Sequence, residues 1–121
     1  MFDDLAETLE QCRIGGRLEW AICLCVSEAF CNALLHGNKM DPEKTIFLAL
    51  DVNQQIVRAD ITDQGDGDIE NIRMRSIPSD QTETGRGFDL IERTANRLEL
   101  TNNREAPGLT LRMEFIRSEW D

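Results

Sequence analysis

"TIFLALDVNQQIVRADITD", Thr45 to Asp63, decides how this chain folds. Its two halves, 45–52 and 56–63, alternate in character, as strands do when successive side chains point to opposite faces. The polar "NQQ" that joins them is a hairpin signal. An antiparallel pair is therefore expected, with one face turned toward a core.

Working outward, the segment before the hairpin is helical. Phe2, Leu5, Leu9 and Cys12 recur at helix spacing, and "RIGGR" breaks the pattern at Gly15 and Gly16. A longer helix is expected from about Arg17 to His36, with Leu18, Ile22, Cys25, Val26, Ala29 and Ala33 as its core stripe. Gly37 stands where a C-cap glycine would end it, with Pro42 shortly beyond. After the hairpin comes a polar segment, Gln64 to Thr84, too long for a compact domain to keep without a functional reason. "FDLIERTANRL" (88–98) reads as helix, and "LELTN" with "GLTLRMEF" as a last hairpin around "NREAPG". Helices grouped against a mainly antiparallel sheet give an α+β fold, a two-layer α/β sandwich with the helices on one face.

Composition sets the limits. The 121 residues suit one domain, 1–121, and 40% hydrophobic with 30% charged residues is an ordinary globular balance. The sequence shows no apolar run of membrane-spanning length, and "MFDDLAETLE" is acidic where a secretory signal is basic, so no membrane partner and a cytoplasmic location are expected. Net charge is −10, which repels phosphate backbones and argues against direct nucleic-acid binding. A nucleotide remains compatible, because backbone N–H groups and a metal ion can build a phosphate pocket. Cys12, Cys23, Cys25 and Cys31 contain no C-x-x-C pair and His36 is the only histidine, so reduced thiols packed as small hydrophobes are expected rather than zinc ligands.

The residues that carry chemistry lie around the long loop. It opens with "DQGDG" (63–67) and closes with "TGRG" (84–87) before a helix, where free N–H groups and the helix dipole attract an anion. No G-K-[ST] follows, so this is not a P-loop, and no second G-x-x-G step makes it a dinucleotide fingerprint. Turn-forming glycines explain "GRG" about as well. An EF-hand reading of "DQGDGDIE" fails, with Gly65 at its third position and Met74 at its twelfth. A protease has nothing to build on, lacking H-E-x-x-H and a nucleophile elbow. On the second helix Glu28 and Asn32 stack one turn apart beside the apolar stripe. That pair suits a metal-bound phosphate with a base below it. On the helix alone, a solvated Glu beside an Asn bonded to a loop is the simpler account.

The combination is more specific than any part. "EAFCN" (28–32) with "HGN" (36–38), "DQGDG" (63–67), "TGRGFDLI" (84–91) and "GLTLRMEF" (108–115) resemble, in order and spacing, the N-box, G1 box, G2 box and terminal strand of the GHKL ATPase superfamily. The continuation "HGNKMDPEK" (36–44) looks most like its anti-sigma-factor serine/threonine kinases. The resemblance runs from about Leu18 to Phe115.

It implies a Bergerat-type sandwich, an ATP and Mg²⁺ site between sheet and N-box helix, and a lid over about 68–84. By position, Glu28 is the candidate general base and Asn32 the magnesium ligand. Asp63 would accept from the adenine amino group, with Gly65 and Gly67 turning the chain beneath the base. Thr84, Gly85, Arg86 and Gly87 would shape the phosphate loop, and Thr110 would stand near the adenine. No role follows for His36.

The implied activity is phosphorylation of a small anti-anti-sigma (STAS-type) protein, with a sigma factor or other regulator as target and a homodimer as the assembly. Three departures stand beside the match: the chain starts in a helix where the family has a strand, Asp68 replaces a common phenylalanine, and Arg73 and Arg75 are the lid's only basic residues. The rival readings are a nucleotide-binding module that sequesters a partner, a histidine-kinase catalytic domain, and a regulatory domain detached from a larger signalling protein.

Overall fold

The computed structural model describes residues 2–65, 83–102 and 107–120. Helix α1 (Phe2–Gln11) buries Leu5 and Leu9. It stops where Arg13 turns left-handed at φ 59° and the Ile14 N–H donates back to the Leu9 carbonyl at 2.8 Å. That geometry is a helix C-terminal motif with arginine where glycine is usual. Helix α2 (Gly16–Asn32) follows, and its expected stripe of Leu18, Ile22, Cys25, Val26 and Ala29 is buried, joined by Ala21.

The end of this helix departs from expectation. Ala33–Gly37 is a π-helical turn, closed by the Asn38 N–H on the Ala33 carbonyl at 2.7 Å. The left-handed residues that end it are Lys39 (φ 53°) and Met40 (φ 62°), and the Met40 N–H returns to the Leu34 carbonyl at 2.8 Å. Gly37 is therefore not the C-cap glycine; its reason for being glycine lies in the site below. By length and composition the continuous helix Gly16–Gly37 could cross a membrane, contrary to the expectation from the sequence. Here its apolar stripe is buried in the core.

Among the described residues four strands form one sheet in the order β1-β2-β4-β3: β1 (Phe47–Val52), β2 (Ile56–Thr62), β3 (Arg97–Asn102) and β4 (Leu109–Ile116). Each neighbouring pair is antiparallel. Strand parity divides the residues cleanly. Val57, Ala59 and Ile61 of β2, with Leu109, Leu111, Met113 and Phe115 of β4, face the helices and are buried. The opposite face carries rows in register across all four strands. One row reads Asp51, Arg58, Glu114, Arg97, and the next Ala49, Asp60, Arg112, Glu99. Arg58 pairs with Glu114 at 2.9 Å, and Arg112 meets Asp60 through Nε at 2.9 Å and Nη2 at 3.0 Å. The hydrogen bonds and charge of Asp60 hold the Arg112 guanidinium more firmly protonated than usual. Opposite charges facing across strands stabilise a solvated sheet face by modest amounts.

Helix α3 (Glu83–Thr94) completes the helical layer, with Phe88 and Ile91 buried. It begins and ends earlier than the apolar pattern implied. The Asn96 N–H donates to Glu114 at 2.9 Å, and Leu98 pairs with Met113, so the sheet claims residues whose spacing also fitted a helix. The two layers make the α+β sandwich. All four cysteines are reduced. Cys25 is buried as expected, and burial, the Glu28 carboxylate and an opposing Ala95 hydrogen bond leave its thiol pushed up to about 12. Cys31, by contrast, is exposed.

Candidate functional site

A cleft opens between the C-terminal part of α2 with its π turn and the inner face of the sheet. Ala29 and Ala33 form one wall, Ile61, Leu100, Leu109 and Leu111 the other, and Phe88 of α3 closes a side. Its polar lining is sparse: Asn32, His36 and Asp63. An apolar slot with few polar groups is the usual form of a small-ligand site.

Asp63 is 6% exposed. It follows the last residue of β2, and its backbone N–H continues the sheet by donating to the Leu109 carbonyl at 3.0 Å. Its Oδ1 accepts the Leu109 N–H at 3.1 Å and the Gly65 N–H at 3.0 Å. Among the described residues nothing bonds to Oδ2, and no cation pairs with the carboxylate. The carboxylate is thus fixed through Oδ1 by backbone N–H groups, while Oδ2 keeps an accessible lone-pair side at a residue that lines the cleft, ready to accept from a donor there. That is the chemistry an amino group on a flat heterocycle would satisfy.

Two glycines make the arrangement possible. A β-carbon on Gly37 would overlap the Asp63 carboxylate, and one on Gly65 would overlap the Gly37 carbonyl. The helix end and the turn after β2 thus touch backbone to backbone, a contact only glycine permits. "HGN" (36–38) and "DQG" (63–65), bridged by the Asn38–Gln64 bond across 26 residues, form one interlocked unit.

Asn38, to which the sequence alone gives no role, is the third part of this unit and is 1% exposed. Its Oδ1 accepts the Gln64 N–H at 2.7 Å, and its Nδ2 donates to the Thr45 carbonyl at 3.2 Å. Gln64 Oε1 in turn accepts the Thr45 N–H at 2.8 Å. A polar residue after a helix reads as a cap, so only the burial reveals it. The signal available in sequence was its place directly beside Gly37.

Asn32 lines the cleft at the end of α2, and half-buried Glu28 lies one turn before it. Among the described residues neither side chain is spent on a hydrogen bond or ion pair, so both are available to a ligand. The described residues contain no cluster of three or more His, Cys, Asp or Glu that could cage a metal. A lone carboxamide oxygen fits an ion held mainly by phosphates and water, as Mg²⁺ is on nucleotides.

The remaining expected residues divide. Gly65 is in the unit just described. Gly67 lies outside the described residues, as does most of the 68–84 lid. Thr84, Gly85, Arg86 and Gly87 fall within the first turns of α3, inside the helix rather than before it. Thr110 is a correction. It is paired with Thr62 on the outer sheet face, hydroxyl to hydroxyl at 2.9 Å, and Leu109 and Leu111 take the cleft wall instead. Alternation along β4 forbids a residue between two inward leucines from pointing inward itself.

Against known proteins, a family model described as the histidine kinase-like ATPase domain matches residues 1–115. An anti-sigma F factor of Bacillus cytotoxicus is 30% identical over 93 residues, covering 73% of this chain and 62% of that protein. One from Anoxybacillus flavithermus is 33% identical over 72 residues, covering 55% and 49%. The chain thus spans 62% and 49% of the length of these two relatives. Among solved structures, the mycobacterial sensor histidine kinase MprB is similar with a TM-score of 0.62 at 16% identity, over 85% of this chain and 73% of that one. The histidine kinase domain from the Erythrobacter litoralis EL346 blue-light-activated kinase gives 0.57 at 22% identity, over 84% and 46%. Both likenesses concern the fold.

Proposed function

The chain belongs to the histidine kinase-like ATPase domain family, and from that premise we propose that it is an ATP-dependent serine/threonine kinase acting as an anti-sigma factor in a partner switch. The observation that carries the nucleotide reading is Asp63: a buried carboxylate, fixed by Leu109 and Gly65, in an apolar slot of the right chemistry for adenine. A 6-amino group donates to Oδ2, whereas the 6-oxo group of guanine would face it with repulsion. The slot therefore selects ATP over GTP.

With the base at Asp63, Asn32 in the cleft lining and Glu28 one turn before it on α2 would be the residues to meet the phosphates. Asn32 offers its amide oxygen to Mg²⁺, which when bound neutralises phosphate charge and orients the terminal phosphoryl group. Glu28 takes the proton from the partner's hydroxyl as that oxygen attacks phosphorus and the bond to ADP breaks. The resemblance of "TGRG" assigns Thr84, Gly85, Arg86 and Gly87 to the phosphates, with Gly67 turning the chain at the start of the lid. The partner would be a small anti-anti-sigma protein of STAS type, phosphorylated on serine or threonine, with a sigma factor as the held target. The setting is the cytoplasm, and a homodimer is the proposed assembly.

The test is transfer of labelled phosphate from Mg-ATP to such a partner. Acid-stable label on a hydroxyl residue supports the reading. Acid-labile label marks a histidine acceptor and the histidine-kinase alternative. No transfer with the true partner, while ATP still binds, leaves a binding module.

A further inference from the structure

We propose that Asn38 is a positioning residue for purine recognition: it fixes the peptide that follows Asp63 and so aims the carboxylate at the ligand's 6-position. The inference rests on the reading of the cleft as an adenine site and adds a residue that acts through another. Asp63 is flanked by two peptide units. The one before it is held by its N–H on the Leu109 carbonyl at 3.0 Å, which is ordinary sheet pairing. The one after it has left the sheet. Its N–H belongs to Gln64, and its described partner is Asn38 Oδ1 at 2.7 Å.

Asn38 can do this because three further hydrogen bonds hold it. Its own N–H closes the π turn on Ala33, its Nδ2 donates to the Thr45 carbonyl, and its carbonyl accepts the Asp41 N–H at 3.0 Å; the residue is 1% exposed. A hydrogen bond accepted by a buried, pre-placed carboxamide costs little reorganisation when the ligand arrives. Without it the Asp63–Gln64 peptide could rotate, and Oδ1 would have to hold the Gly65 N–H against that motion. The carboxylate would still be present but less sharply directed, and misplacement by a fraction of an ångström weakens discrimination more than it weakens general affinity.

A merely structural Asn38 would lower stability and affect all nucleotides alike. A positioning Asn38 changes the ratio between a purine that donates from its 6-position and one that does not. The measurement is therefore the dissociation constant for ATP and for ITP, by calorimetry with Mg²⁺, in wild type, Asn38→Ala, Asn38→Ser and Gln64→Ala. Wild type should prefer ATP. Asn38→Ala should lose most of that preference, about tenfold in the ATP-to-ITP ratio, by removing the one bond that orients the peptide. Gln64→Ala deletes the neighbouring side-chain tie to Thr45 but keeps the backbone N–H on Asn38, so its ratio should stay near wild type.

An Asn38→Ala ratio equal to that of wild type overturns the proposal and leaves the adenine reading standing. A wild type that does not distinguish ATP from ITP overturns the adenine reading and the proposal with it. If Asn38→Ala does not fold, Asn38→Ser gives the same comparison. Amide hydrogen exchange of nucleotide-free wild type needs no variant: the Gln64 N–H should be protected, and exchange at the rate of an open loop overturns the proposal.

Discussion

At one end of the cleft Asp63 is tied to Leu109 and Gly65, pressed by Gly37 and, through Gln64, linked to Asn38. Toward the other, Asn32 lines the cleft and Glu28 precedes it by one turn on the same helix, and their side chains bond to nothing else among the described residues. The first end joins three separate segments of chain and is held in place before any ligand arrives, with Oδ2 left for the ligand. The second borrows its geometry from one helix and meets its partners only when they arrive. Recognition of a flat base needs a fixed acceptor before binding; phosphoryl transfer needs groups free to follow a moving proton and a metal. The two ends should therefore fail differently.

Glu28→Gln gives the largest effect and should confine it to chemistry. Shape and part of the hydrogen bonding persist, but the amide cannot take a proton as a carboxylate does. Phosphoryl transfer should fall by about 10² to 10⁴-fold while Mg-ATP affinity stays close to wild type. Single-turnover transfer at the wild-type rate would remove Glu28 from the reaction and merge the two ends into one binding surface.

Asp63→Asn attacks the base end and should reverse the pattern. The carboxamide can turn its NH₂ toward the adenine amino group, losing a charge-assisted acceptor worth about 1.5–3 kcal/mol, so ATP should bind roughly ten- to a hundredfold more weakly. Transfer at saturating ATP should fall far less than in Glu28→Gln. Calorimetry with an unchanged ATP constant would mean the buried carboxylate serves only the fold.

Gly65→Ala tests whether the base end is as tightly interlocked as its backbone contact implies. The added methyl meets the Gly37 carbonyl, which belongs to a helix end and cannot swing aside as a side chain would. Overpacking of this kind costs about 1–3 kcal/mol. A melting temperature lower by several degrees, with weakened ATP binding, is expected. A variant indistinguishable from wild type would show that the helix end and the β2 turn can separate.

How far these features could be read from the sequence follows from their range. Helices and hairpins are local, so the spacing of Leu18, Ile22, Cys25, Val26 and Ala29 and the alternation through 45–63 located α2 and the first hairpin. Asp63, Gly65 and Asn32 stand in short strings that a sequence reading can single out, and the structure places Asp63 and Asn32 in the lining of one cleft. The α3 end was misplaced because Leu98 satisfies both a helical stripe and a strand, and only the pairing with Met113 decides between them. Asn38 was missed because its partners, Thr45 and Gln64, are 7 and 26 residues away. The reason for Gly37 is hidden from the sequence by the same cause: its constraint is a distant carboxylate and not its own φ.

Thr110 differs from these, because its position is legible in the strand itself, and it supplies the smallest expected effect. In "GLTLRMEF" the residues Leu109, Leu111, Met113 and Phe115 share one parity, which assigns Thr110 to the face of Arg112 and Glu114 by alternation alone. Its hydroxyl meets that of Thr62 at 2.9 Å on that face, in a row completed by Phe47 and Thr101. Thr110→Val removes the hydroxyl but keeps the branched shape that strands favour. The lost bond is part-buried, and solvent can still reach Thr62, so stability should fall by no more than about 1 kcal/mol. Affinity for ATP should change by less than about twofold, because a difference that small is under half a kcal/mol and lies across the sheet from the cleft. A tenfold loss of ATP affinity without loss of stability would place the Thr110 side chain inside the base end, and the contrast between the two ends of the cleft would have to be redrawn around it.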